Sequence, residues 1–500
     1  YQTLIAKWPK AIIMMNHYNR PNIHSASPDD GTSWKYGVPI DVMKFPGGGG
    51  NENTSVINRL HTTGFNARIV KAQCPHRFDV WEPGGTLWRS ASYPELENDP
   101  THSLLHGLWT LALGGVPWTA LTNVLTKHGK PNPRVMTEWK KRRPFIGGKP
   151  LSYCGIHYSQ ASRDFWGREN PNAYYSEVYG FYDAAVEGHF LTDLLLDAHL
   201  ADLSYLQRYR VVILPNSACL SETQGKALTE FVQSGGILIA SFETSLYDQD
   251  GQRRNDFLLR DVLGVSYQET VQLTPGPWGK TIYDPDNLPE EKPIVRVENK
   301  HLQKKVGLTV FFGANYTRAK LLPETKVLAN IVRLERKGPL FPWEELTQAT
   351  IDTPAVVYHS FGKGKAIYFS PEAGRGFLHW PHPELRRLLE TMFALGNPDI
   401  IVRAPKVVEV TAFQQKNDIL TIHLVNLPWA SNRPPVPPIA IPVIDEIIPI
   451  TGIQVEINTP GDCRILLPLS REKPLVKRKG SRLVITVPSL KYHEVIVVRN

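Results

Sequence analysis

Two carboxylates stand in settings where a carboxyl group can do chemistry. Glu82 lies in the run VWEPGGTLW, between Trp81 and Trp88. An apolar, aromatic setting raises the pKa of a carboxylic acid, which a general acid at neutral pH requires. The same residue also suits a plainer role, bonded to the backbone of the Gly84-Gly85 turn. Asp41 lies in a strand-like run, GVPIDVMKF (37–45). Strand period puts Asp41 and Met43 on one face. That face is either the mouth of a barrel, where Asp41 would pair with a second group, or the buried side, where Lys71 or Arg68 would bond it. Trp81, Trp88 and Trp118 offer flat apolar faces for sugar rings, and Asn16, His17, Asn19, Arg20 and Arg89 offer hydrogen bonds to hydroxyls. Each of these alone equally suits packing, Trp118 above all. Their clustering at successive strand ends is what points to a pocket.

Other motifs fail on spacing. GPWGKT (276–281) is too short between its glycines for a phosphate loop, and GGGG (47–50) lacks the helix entry and acidic partner of a dinucleotide fingerprint. Ser217-Ala218-Cys219 follows an apolar run, yet no histidine and glutamate pair stands downstream to activate the thiol. The four cysteines, Cys74, Cys154, Cys219 and Cys463, have no metal-ligand spacing, so neither a metal nor another cofactor is expected.

Composition narrows the class. The chain has 500 residues, 42% hydrophobic and 21% charged, too many for one core. Its apolar runs fall far short of the ~20 residues a membrane helix needs. The net charge is +8, spread thinly, with the densest group at Arg471–Arg482 (REKPLVKRKGSR). That group reads as a solvated turn between strands, so neither nucleic acid nor membrane is an expected partner. The first residue is Tyr1 with no signal-peptide pattern. YQTLIAKWP reads as a helix tail, so the chain is expected to begin in mid-domain, which leaves localisation open.

Strand-like and helix-like runs alternate over 1–145. The strands are AIIMMNHYN (11–19), GVPIDVMKF (37–45), ARIVKAQC (67–74) and VPWTALTNVL (116–125); the helices are 51–64 and 99–115, the latter with Asp99 as N-cap and Pro100 at its first position. These units make half of an eightfold β/α barrel. A basic hinge, KKRRPFIGGKP (140–150), follows. Residues 151–400 hold near-continuous apolar strands between helices, which indicates a parallel sheet covered on both faces. Residues 401–500 read as a small antiparallel β-sandwich. The expected fold is α/β: the C-terminal half of a (β/α)8 barrel, a flavodoxin- or amidotransferase-like domain, and the sandwich.

The words RVVILPN (210–216), GGILI (235–239), ETSLYD (243–248) and YFSPEAGRGFLHWPHPELRRLLETMF (368–393) resemble the amidotransferase-like trimerisation domain of family 42 glycoside hydrolases. The resemblance implies a carbohydrate substrate with β-linkage, two catalytic carboxylates without a metal, and a homo-oligomer, possibly a trimer, held by the middle domain. It also likens Ala72-Gln73-Cys74-Pro75 to the Glu-Gln-Thr-Pro word of the family's seventh strand, which puts Ala72 at the nucleophile position. The acid/base of the family would precede Tyr1. The chain then reads as part of a retaining β-galactosidase-like enzyme, or alternatively as a non-catalytic glycan-binding or assembly relative.

Overall fold

The structure, a computed structural model, describes residues 14–16, 42–46, 61–73, 78–81, 100–118, 133–273, 291–335, 346, 349–427, 447–459, 461 and 463–499. It is an α/β fold with several sheets. The chain forms two compact units, one of residues 1–152, 186–194 and 398–500, the other of residues 153–185 and 195–397.

In the first unit, strands Met14–Asn16, Val42–Pro46, Phe78–Trp81 and Val116–Trp118 form a four-stranded sheet in sequence order, every pair parallel. Helix Thr62–Gln73 lies between the second and third strands, and helix Pro100–Ala112 between the third and fourth. The first buries Phe65, Ile69 and Ala72, spaced four and three residues apart on one helical face. Residues 67–73 of the run expected as a strand are therefore the end of a helix. Its apolar residues look alternating, but Arg68 and Lys71, three apart, find acceptors at helical spacing. The third strand is Phe78–Trp81, which falls where a loop was expected.

Two antiparallel sheets complete this unit. One runs Ile400–Arg403, Ile450–Asn458, Arg482–Leu490, Leu475–Lys479, and the other Arg464–Leu466, His493–Arg499, Leu420–Asn426, Val408–Gln414, Lys149–Leu151. In Arg482–Leu490, Leu483, Ile485 and Val487 are buried and alternate with half-exposed residues, as in a sheet with one face on a core. In Leu420–Asn426 and His493–Arg499 almost every residue is buried, and helix Pro100–Ala112 lies against the former strand. The run 140–150, expected as a hinge, is ordered instead. It ends helix Pro133–Arg142 and then pairs Pro150 with Phe413 in the second sheet.

Arg142 is the reason this run is anchored. It is buried, pairs with Glu138 Oε2 at 2.7 Å, and donates from Nε to His493 Nδ1 at 3.1 Å. An arginine has donors only, so His493 Nδ1 accepts. His493 is then neutral with its proton on Nε2, which it gives to His423 Nδ1 at 3.0 Å. Burial, the neighbouring His423 and Arg142 hold His493 well below the usual histidine range, and burial pushes His423 down to about 4. The charge beside this pair is Arg142, which in turn feels Glu138 and Glu494. A depressed histidine pKa contributes stability that is present above about 6.5 and lost as pH falls toward 4. Protection of strands Leu420–Asn426 and His493–Arg499 from amide exchange is expected to fall by about 3 kcal/mol over that window. Equal protection at pH 7 and pH 4.5 would remove the pair as an acid-labile element.

The second unit is built on four parallel strands, Cys154–His157, Val211–Leu214, Ile237–Ser241 and Gly364–Phe369, adjacent in that order. Nearly every residue in them is buried, because helices cover both faces. Strands Thr350–Phe361, Lys326–Glu335, Glu291–Val297 and Thr309–Val310 extend the sheet antiparallel. Helix Glu222–Gln233 begins at a capping box of Ser221 and Gln224. Helix Pro171–Glu187 crosses Ala373–His379 so closely that a Cβ on Gly180 would sit 1.8 Å from the Gly374 carbonyl oxygen. Glycine is required there by contact and not by backbone angle.

Candidate active site

The parallel strands of the first unit end together. Asn16, the last residue of its strand, is in register with Lys44, two residues short of the end of Val42–Pro46. Pro46 is in register with Trp81, and Trp81 with Trp118, which end the next two strands. Parallel β/α sheets bind ligands at this edge, where the strand ends and following loops converge. Asn16, Trp81 and Trp118, expected to contribute to one pocket, are thus brought to one edge. Asp41, Glu82, His17, Asn19, Arg20, Trp88 and Arg89 lie outside the described residues. In the chain, Glu82 follows the last residue of the third strand, whereas Asp41 precedes the first residue of the second.

Ala72 does not belong to that edge. It is a buried residue in the last turn of helix Thr62–Gln73.

Behind the sheet, the helices are held by buried ion pairs. Arg68 donates to Glu409 Oε1 at 2.7 Å and to the Thr192 carbonyl at 2.8 Å. Trp109 Nε1 donates to Glu409 Oε2 at 2.9 Å, and His61 Nδ1 lies 3.6 Å from the same oxygen. Burial alone would push Glu409 up, but Arg68 and His61 hold it below the usual carboxylate range. Lys71 pairs with Asp193 at 2.8 Å, and Ser152 also bonds Asp193. Lys71 and Arg68, expected as partners of Asp41, therefore have acidic partners in other parts of the unit. Ala67, Arg68, Lys71, Asp193 and Phe413 line a small pocket beside these pairs.

The second unit holds polar groups at the C-terminal ends of its own parallel strands. His157 Nδ1 is 2.8 Å from Ser217 Oγ, and its Nε2 is 3.1 Å from Asp197 Oδ1. Asp197 also accepts from Ser159 Oγ and the Gln160 amide, both at 2.8 Å. A serine, histidine and aspartate chain is a nucleophile constellation in type. Here Ser217 and His157 are completely buried, so no substrate reaches them, and the set ties three loops together. Sequence reasoning missed this chain because its members come from three separate strand ends. Cys219 is buried as well, and burial raises its thiol to about 12, the reverse of an activated nucleophile. Nearby, Glu177 accepts from Ser241 Oγ and from the Arg375 amide, each at 2.6 Å, and lies within electrostatic reach of Glu372. Among the described residues no cluster of histidine, cysteine or carboxylate side chains could hold a metal ion, and no helix is long and apolar enough to cross a membrane.

Comparison with known proteins agrees with the second unit's topology. Residues 154–291 match the family model of the beta-galactosidase trimerisation domain. Over 208 residues the chain is 27% identical to the beta-galactosidase BgaB of Geobacillus kaustophilus, covering 41% of this chain and 24% of that protein. Its fold is similar to the alpha-L-fucosidase isoenzyme 2 of Paenibacillus thiaminolyticus (TM-score 0.63, 15% identity, 88% of this chain and 62% of that one). It is also similar to Gan42B, a GH42 beta-galactosidase of G. stearothermophilus (TM-score 0.60, 17% identity, 99% of this chain and 64% of that one). The chain thus spans less than two thirds of the length of the relatives it matches. The chain is thus similar to family 42 glycoside hydrolases, and its residues 154–291 to their trimerisation domain.

Proposed function

We propose that this chain carries the C-terminal half of a (β/α)8 barrel of a retaining glycosidase acting on β-linked sugar, and that Glu82 is its nucleophile. The observation that carries the proposal is the position of Trp81. It ends the third of four parallel strands, and Glu82 is the next residue in the chain. Enzymes built on such barrels take their catalytic residues from the C-terminal strand ends. Helix Thr62–Gln73 moves the strand boundary past Ala72, and the Glu-Pro-Gly word at 82–84 takes the place first given to Ala72.

In a retaining mechanism the nucleophile attacks the anomeric carbon while a second carboxylic acid protonates the leaving oxygen, the two carboxyls being about 5–5.5 Å apart. The acid/base is assigned to the part of the relatives' barrel that this chain does not span. Asp41 precedes its strand in the chain and is not assigned a catalytic role. Trp81, Trp88 and Trp118 serve as stacking faces, and Asn16, His17, Asn19, Arg20 and Arg89 as partners for hydroxyls. The middle unit is assigned the role its family model names, assembling copies of the chain as a homo-oligomer, a trimer.

A mechanism-based 2-fluoro galactosyl inhibitor tests the nucleophile directly. Incubated with the full-length protein, it is expected to leave one glycosyl group on the peptide containing Glu82, read by mass spectrometry. A label on another carboxylate, or hydrolysis of an aryl β-galactoside with no trapped ester, would overturn the assignment.

A further inference from the structure

The basic run at 471–482 contains six cationic residues and one acidic one. Only its Gly480-Ser481 step is a turn; Leu475–Lys479 is an edge strand, and all five of its residues are exposed. The strand pairs with Arg482–Leu490, whose Leu483 and Ile485 face the core. Register then decides which side chains share the outer face. Lys479 lies opposite Arg482, Lys477 opposite Val484, and Asn458 on the next strand opposite Arg482. Lys477, Lys479 and Arg482 therefore stand together on the outer face, the two lysines about 7 Å apart along the strand. Gln454 and Glu456 belong to the same face, and Glu456 is neutralised by Arg403 at 3.1 Å. Arg482 donates to the Pro398 and Asp399 carbonyls, which leave its charge intact. No ion pair to Lys477, Lys479 or Arg482 occurs among the described residues.

We infer that this outer face is a binding surface for an anionic polysaccharide, one bearing carboxylate or sulfate groups. Three cations without counter-charge call for an anionic ligand. The amide side chains of Gln454 and Asn458 beside them suit hydroxyl groups. The face carries no aromatic ring, so it offers neither the stacking platform of a neutral sugar site nor the one that single-stranded nucleic acid uses. Lysines on an exposed edge strand also deter pairing with other chains. That role does not account for Arg482, which lies one strand in from the edge. The surface is separate from the strand ends that hold Trp81 and does not depend on the glycosidase reading.

The test measures binding of the full chain to polygalacturonate, with neutral galactan and a DNA duplex as comparisons, across a salt series. Tight binding to polygalacturonate that weakens with salt is expected, with little binding to galactan. The double variant Lys477→Glu/Lys479→Glu is expected to weaken it about 10-fold or more and to lower the salt slope by about 2, one for each lost ionic contact. Lys304→Glu/Lys305→Glu makes the same change of net charge on exposed residues of helix Lys300–Val306 and is expected to bind as the parent does. Equal losses in the two variants mean bulk charge and overturn the site. Tighter binding to DNA than to polygalacturonate overturns it in favour of nucleic acid. No binding to polygalacturonate overturns it outright.

Discussion

Glu409→Ala is expected to destabilise the first unit by about 3–5 kcal/mol, the cost of removing one member of a buried ion pair. Arg68 is only 4% exposed, and the carbonyls of Gly64 and Thr192, which it also bonds, carry no charge. Trp109 Nε1 and His61 would lose the same acceptor. The damage would fall on helices Thr62–Gln73 and Pro100–Ala112, which support the sheet that ends at Trp81 and Trp118. Amide exchange in those helices is the readout, because a chain with two compact units need not unfold in one step. The double variant Glu409→Met/Arg68→Met separates pairing from packing. Replacing both charges by apolar groups of similar volume is expected to recover most of the loss. A single variant that costs under about 1 kcal/mol would show that the pair is not what holds the helices.

The second large effect is an alkaline weakening of the middle unit. Burial pushes Glu177 up to about 8, with the neighbouring Glu372 adding to it. Burial likewise pushes Glu372 up to about 7, although Arg375 pairs with it at 3.0 Å. The groups facing the pair are Arg375, the neutral donors Ser241 and Asn315, and the further carboxylate of Glu243. One guanidinium cannot neutralise them all, so the native unit retains protons that the unfolded chain gives up near 4.5. A raised carboxyl pKa means stability that is full at low pH and lost as pH rises through the folded values. The loss attributable to Glu177 is about 4–5 kcal/mol, complete above about pH 8. Thermal unfolding between pH 4.5 and 9.5 should show the decline. Glu177→Gln keeps the shape without the charge and should flatten the curve, leaving the variant more stable than the parent at pH 9. A parallel decline in the two proteins would rule out Glu177 as its source.

The two units thus respond in opposite directions. The first carries a neutral histidine pair beside Arg142 and weakens in acid; the second carries protonated carboxyls and weakens in base.

Much of this was legible in the residues themselves. Near-continuous apolar runs such as VVIL at 211–214 can only be covered on both faces, and the order of the words between 210 and 393 pointed to the trimerisation module. The hairpin joining Thr350–Phe361 to Gly364–Phe369 and the helix Pro100–Ala112 followed from turn and cap residues a few positions apart. These features are set by local period and local backbone preference, which a sequence carries directly.

What the sequence could not decide depended on partners far along the chain. ARIVKAQC reads equally as a strand or as the end of a helix. The choice is made by Arg68 and Lys71 meeting Glu409 and Asp193, 341 and 122 residues away. That choice moved the third strand to Phe78–Trp81 and so changed which residue, Ala72 or Glu82, follows a strand end. The Ser217, His157 and Asp197 chain, the paired histidines and the paired glutamates escaped notice for the same reason. A buried polar group takes its chemistry from what is packed against it, and only the tertiary structure brings those neighbours together.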